Sequence, residues 1–175
     1  RLAGLKRGQY ACNLHAGWLE SSDFYAEPMT FQMPDENVSG IEIKALRGGT
    51  VSGVGVIEGS NDAATKAKLA RMMIFAYTEP EDPQDRQPQP SSHHQTGIKS
   101  DGTFLLTGVA PGKVTIHVNN GGDRSLSLIR MERSGAPIED FKLAKGEKVT
   151  DLRLVFTVGT GVIRGQIQTT GQPQR

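Results

Sequence analysis

TFLLTGVAPGKVT, residues 103–115, is the stretch whose reading decides the fold. Phe104 and Leu106 alternate with second-face neighbours, which is the period of a strand. Gly108 interrupts the alternation. Pro111-Gly112 predicts a tight turn, because proline presets one backbone angle and glycine supplies the left-handed one. Beyond it Val114, Ile116 and Val118 alternate with Lys113, Thr115 and His117, a half-buried strand with one wet face. Just upstream, Lys99-Ser-Asp-Gly102 reads as a hairpin turn, since Asp-Gly accepts positive φ at low cost.

Working outward, the opening of the chain is a second copy of this stretch. Arg1-Leu-Ala-Gly4-Leu-Lys-Arg-Gly8-Gln-Tyr10 aligns with Leu105-Leu-Thr-Gly108-Val-Ala-Pro-Gly112-Lys-Val114. Tyr10, Cys12 and Leu14 then fall on Val114, Ile116 and Val118. Asn37–Ile43 matches Lys148–Leu154, and Gly49-Thr-Val51-Ser-Gly53 matches Gly161-Val-Ile163-Arg-Gly165. A spacing of about 100 residues is a whole domain, too long for one turn of a solenoid. The small drift in spacing falls between these segments, where loop insertions cost little.

The repeat sets the expected organisation. Residues 1–45 are the C-terminal part of one unit, 46–158 a complete unit, and 159–175 the first strand of a following one. Strands are expected at Tyr10–Leu14, Met29–Met33, Val38–Ile43, Thr50–Glu58 and Ala70–Thr78. More follow at Thr96–Lys99, Thr103–Thr107, Lys113–Asn119, Ser125–Glu132, Ile138–Leu143, Val149–Val158 and Val162–Gln168. Met72, Ile74 and Ala76 face one way and Met73, Phe75 and Tyr77 the other, so their strand is central. Gly53 and Gly55 mark a bulge or a close backbone approach. Ser60–Lys68 is a polar connection whose ATKAKLAR run is too short to be a stable helix alone. Glu79–Gln95 has four prolines and no aliphatic residue, and reads as a mobile loop. Many short strands with turns every eight to twelve residues predict an all-β chain of tandem antiparallel sandwiches, one complete and one or two partial.

Composition bounds the function. The chain has 175 residues, 21 glycines and a formal net charge of +1, so no strong field draws nucleic acid or an anionic membrane. No apolar run approaches the ~18 residues of a membrane span. The first residues lack a signal-peptide pattern, and because Arg1 falls inside a repeat, the gene product is expected to start upstream. The single cysteine, Cys12, occupies an inward position and reads as a core thiol rather than a reactive one.

The repeats resemble the carboxypeptidase regulatory-like domains, β-sandwiches of transthyretin-like (prealbumin-like) type. The resemblance rests on Val51-Ser-Gly53-Val-Gly-Val56, on Ser100-Asp-Gly-Thr-Phe104 followed by Gly108-Val-Ala-Pro-Gly-Lys-Val114, and on Gly146–Leu152 leading into Gly159–Gly165. It covers most of residues 46–165 and recurs in 1–45. The chain departs from the family pattern in having Val114 for the usual Tyr, Arg7 for Pro, and a longer 79–95 loop. The resemblance implies a non-catalytic appendage of a secreted, periplasmic or cell-surface protein.

Few residues suggest chemistry. His93-His94 are adjacent and lack ligands at metal spacing, so a solvated loop is the expected reading. Glu58, Asn61, Asp62 and Asp101 form no calcium loop and read as turn and cap residues. His15, His117 and the scattered carboxylates match no nucleophile motif, so no enzymatic activity and no cofactor are expected. An intramolecular Lys–Asn isopeptide is excluded by aliphatic inner positions. Trp18, Phe24 and Tyr25 are the candidate contact residues for a sugar ring or partner, against the alternative that they plug the end of a sandwich.

The expected function is therefore a structural or adhesive module whose partners are neighbouring repeats, copies of itself, or a surface glycan or protein. Where the chain is a natural subunit, strand addition between molecules gives a head-to-tail filament; an excised fragment is the simpler account. The alternatives are a carbohydrate-binding module using Trp18 and Tyr25, and an accessory domain of a larger extracellular enzyme or outer-membrane transporter.

Overall fold

Alternating apolar residues and frequent turns produce strands almost throughout. The computed structural model describes residues 4–12, 22–27, 29–34, 36–60, 62–79, 92–121 and 125–159. In chain order the strands are β1 (Gly8–Cys12), β2 (Phe24–Ala26), β3 (Met29–Met33), β4 (Ala45–Arg47), β5 (Gly49–Glu58), β6 (Met73–Glu79) and β7 (Ser92–Gly97). They continue as β8 (Thr103–Val109), β9 (Gly112–Asn119), β10 (Leu126–Arg133), β11 (Ala136–Ile138), β12 (Asp140–Leu143) and β13 (Lys148–Val158). One helix among the described residues, α1 (Ala63–Leu69), joins β5 to β6. The chain is all-β in class.

Residues 49–158 form two sheets around one core. One sheet runs β11-β10-β13-β5-β8 and the other β12-β9-β6-β7. Val51, Phe104, Leu106, Leu126, Met131, Val149, Leu152, Leu154 and Phe156 from the first meet Ile74, Ala76, Val114, Ile116, Phe141 and Leu143 from the second. Leu69, Met72 and Ile98 complete the same cluster. Each of these large side chains contributes about 1.5–3 kcal/mol by leaving water. An exposed ion pair contributes at most about 1 kcal/mol, so this cluster is what holds the unit together.

The decisive stretch is strand, short connection, strand as expected, but the two strands lie in opposite sheets. β8 edges the five-stranded sheet and β9 lies inside the four-stranded one. Pro111-Gly112 therefore carries the chain across the sandwich. The turn at Lys99–Gly102 does likewise between β7 and β8, where the Asp101 carboxylate accepts from the Thr103 amide at 2.9 Å and its hydroxyl at 2.7 Å. The single strand expected at Ile138–Leu143 divides at Glu139 into β11 and β12, one in each sheet. Periodicity tells which side chains face inward, but both sheets face the same core, so it does not assign a strand to a sheet.

Other differences have local causes. β7 begins at Ser92, inside the segment read as a loop, because ladder pairing with β6 from Met73↔Gly97 to Thr78↔Ser92 outweighs its polar composition. The strand expected at Val38–Ile43 is irregular, and pairing begins only at Ala45. α1 forms because the Asp62 carboxylate accepts from the Thr65 amide at 2.8 Å and Leu69 is buried in the core, so tertiary anchoring makes up for its length. The alternation of Leu152, Leu154, Phe156 and Val158 predicts all four inward; the first three are, but Val158 is 39% exposed, whereas Val155 is fully buried. Cys12 is half-buried. Leu14, His15, Trp18, most of the 79–95 segment and the strand expected at Val162–Gln168 lie outside the described residues.

One pair departs from the antiparallel rule. β5 and β13 run parallel from Lys148↔Thr50 to Thr157↔Glu58, with the register shifting between Val149 and Leu152. Gly53 sits opposite that shift, where a Cβ would collide with the Leu152 carbonyl oxygen. This is the close backbone approach expected of it.

Residues 8–47 form two further ladders, β1 with β3 and β2 with β4. Gly8↔Met33, Gln9↔Gln32, Tyr10↔Phe31 and Ala11↔Thr30 repeat, at a constant displacement on each strand, Gly112↔Leu143, Lys113↔Lys142, Val114↔Phe141 and Thr115↔Asp140. Phe24↔Arg47, Tyr25↔Leu46 and Ala26↔Ala45 form the second ladder; Phe24 is exposed and Tyr25 buried, the reverse of Leu126 and Ser127 at the start of β10. Tyr10 stands half-buried in a two-stranded ladder, whereas Val114 is fully buried between the two sheets of the sandwich.

Candidate functional site

Two surfaces stand out. The first is the joint between residues 22–48 and the sandwich, and it is built from backbone groups and one side-chain hydroxyl. Gly48 N–H donates to the Asp23 carbonyl at 3.0 Å. The Thr107 hydroxyl donates to the Ser22 carbonyl at 3.1 Å. Gly108 lies between them at φ +71°, and a Cβ there would meet the Ser22 carbonyl oxygen and lie 2.9 Å from that of Phe24. Only glycine gives both the left-handed angle and the space. The closure recurs at the far end of the sandwich, where Gly159 N–H donates to the Ser125 carbonyl at 2.8 Å.

The aromatic residues singled out in the sequence meet this joint unevenly. Phe24 is 46% exposed and Tyr25 only 6% exposed; as successive residues of β2 they point to opposite faces. Burial, and then the negative charge of Glu27, push the Tyr25 phenol above its ordinary pKa. Trp18 lies outside the described residues.

The second surface is the outer face of the four-stranded sheet. Met73, Phe75 and Tyr77 of central β6 stand half-buried on it. Tyr77 pairs with His93 on β7 and Thr115 on β9, while Phe75 pairs with Gln95 and His117. The Tyr77 ring stacks on His93 at 5.8 Å and on Phe75 at 6.5 Å, and meets the His117 ring edge-on at 5.2 Å. Lys113 and Asp140 border the strip as an ion pair at 3.0 Å, and Asp140 holds the lysine pKa above its ordinary value. The outcome is a shallow row of four rings flanked by amide, hydroxyl and charged groups. Such a row stacks on flat apolar faces and hydrogen-bonds at their rims.

Sequence reasoning missed this strip because its members were assigned apart. Met73, Phe75 and Tyr77 read as a second buried face, His93 as loop, and His117 as the wet side of a strand. The available signal was the shared two-residue alternation of Phe75/Tyr77 and Thr115/His117. The strand order that puts them side by side was not available.

The other sheet's outer face is covered differently. Arg130 bridges Glu58 and Glu132 at 2.6 Å each, and Arg153 joins Glu132 at 2.8 Å. The hydrogen bond from Arg130, then that from Arg153, holds the Glu132 carboxyl below its ordinary pKa. Among the described residues no group of three or more His, Cys, Asp or Glu side chains is placed to share a metal ion. No family model matches the chain, and no curated protein matches it.

Proposed function

We propose that this chain belongs to a repetitive, non-enzymatic protein of the cell surface, periplasm or extracellular space, whose β-sandwich units are spacers joined through glycine contacts. The units are of the carboxypeptidase regulatory-like type, on the strength of the motifs at 51–56, 100–114 and 146–165, and their first partners are neighbouring units of the same kind. The observation that supports the reading is a recurring closure: Gly48 N–H to the Asp23 carbonyl beside the β2/β4 ladder recurs as Gly159 N–H to the Ser125 carbonyl beside β10/β13, while Gly8 opens the β1/β3 ladder as Gly112 opens β9/β12. Backbone NOEs test it. Cross-strand contacts are expected between Tyr10 and Phe31 and between Tyr25 and Leu46. A slip of one residue in either ladder would turn every side chain to the other face and remove the repeat on which the reading stands.

A second reading is favoured by the ring strip on β6, β7 and β9: a carbohydrate-binding accessory module of a larger extracellular enzyme or outer-membrane transporter. Its contact residues would be Phe75, Tyr77, His93 and His117 rather than Trp18 and Tyr25. Tyr77 touches three of the other rings' positions at once, so Tyr77→Ala is expected to weaken oligosaccharide binding about tenfold, the stacking of one aromatic ring. Wild-type protein that binds no glycan on an oligosaccharide array removes this reading.

A further inference from the structure

We propose that the parallel pair β5/β13 is a mechanical clamp, and that the unit bears tension along the chain. The inference rests on the spacer reading above and adds resistance to tension to it. The chain enters the sandwich at Gly49, the start of β5, and leaves it at Val158, the end of β13. These two strands lie side by side and run parallel, from Lys148↔Thr50 to Thr157↔Glu58. Entry and exit therefore sit at opposite ends of one paired ribbon. Tension across the unit pulls β5 and β13 lengthwise past each other.

That direction matters physically. The bonds of a parallel ladder are evenly spaced along it, so lengthwise sliding loads all of them together. Had the first and last strands been antiparallel, the chain would enter and leave at one end, and tension would open the ladder one bond at a time. The surroundings reinforce the pair. Both strands are interior to their sheet, with β8 beyond β5 and β10 beyond β13. Val51, Leu152, Leu154 and Phe156 are at most 1% exposed and shield one face of the ribbon from water. The upstream end is tied by Thr50 N–H to the Glu147 carbonyl at 2.9 Å, and the downstream end by Gly159 N–H to the Ser125 carbonyl at 2.8 Å. At the register shift the Leu152 carbonyl presses into the space left by Gly53, so sliding must also drive the β13 bulge past the β5 backbone.

Single-molecule pulling on the full-length chain tests the clamp, with Cys12→Ser removing the native thiol. In the first arrangement handles are attached at Lys44→Cys and at the C-terminus, which loads β5 against β13 lengthwise. In the second they are attached at Lys44→Cys and Lys145→Cys. Both points then lie at the Thr50/Lys148 end, so the ladder is peeled from one side. Lys44 and Lys145 are exposed and contribute nothing to the core. The expected result is a several-fold higher unfolding force in the first arrangement at equal loading rate, in one step that releases about 350 Å of chain. Equal forces in the two arrangements, with the single step kept, overturn the clamp and leave the spacer reading standing. Release in several small steps in the first arrangement overturns the clamp and the spacer unit together.

Discussion

Gly53→Val unfolds the sandwich under conditions where the wild-type chain is folded. A Cβ at residue 53 would strike the Leu152 carbonyl oxygen and lie 2.7 Å from its carbon and 3.0 Å from the Phe104 ring. The first two are backbone atoms of the neighbouring strand, so no rotamer change relieves the collision. β5 must move away from β13, and both are interior strands whose inward side chains form the core. The cost belongs with the largest single substitutions, about 4 kcal/mol or more. Total stability for such a unit is ~5–15 kcal/mol, so the melting temperature falls by roughly 15 °C or more. Gly97→Ala is the matched comparison: its nearest neighbours would be the Met73 sulfur at 3.9 Å and the Met72 carbonyl at 4.0 Å, and it should melt within a few degrees of wild type. A Gly53→Val protein that melts with the wild type would mean that β5 and β13 are not in the register described.

Much of this unit was legible in the sequence. The inward set of β8, β9 and β13 follows from period-two alternation at Phe104/Leu106, Val114/Ile116 and Leu152/Leu154/Phe156. Gly53 as a close approach or bulge follows from a glycine inside a valine-rich strand. What alternation left open is which strands are neighbours. For that reason Lys99–Gly102 reads as a hairpin turn when it crosses between sheets, and β5/β13 gives no local sign of running parallel. The candidate site depended on the same missing knowledge. Tyr77, His93 and His117 come from three strands, and His93 lies in a run whose composition argues for loop. Phe24 and Tyr25 read as contact or plug residues without an assigned strand; they lie in β2, where adjacent residues point to opposite faces, and one is exposed and the other buried. The glycine that opens β1 was foreshadowed by the alignment of Gly8 with Gly112; nothing in the sequence paired β2 with β4. The alignment of Val38–Ile43 with the last strand nevertheless misplaced where pairing begins, because the regular pairing there is confined to three residues.

Gly108→Val is the second large expected effect, and it differs in kind. Residue 108 has φ +71° and would press a Cβ onto the Ser22 carbonyl oxygen. A β-branched residue is an outlier in that region of backbone space, and its strain is about 1–3 kcal/mol. The atoms it displaces belong to β2 and its approach, not to the cluster formed by Val51, Phe104, Leu106 and Phe156. Residues 22–47 should therefore lift from the sandwich while the sandwich stays folded.

Amide hydrogen exchange at Gly48 in Gly108→Val is the most direct measurement of the central claim, that a separate unit is seated on the sandwich through a glycine joint. The Gly48 amide is held by the Asp23 carbonyl; on this account it exchanges about tenfold faster or more in the variant, while Leu106, Leu154 and Phe156 amides keep their protection. A Gly48 amide as slow as in the wild type, or sandwich amides that accelerate along with it, would contradict the account.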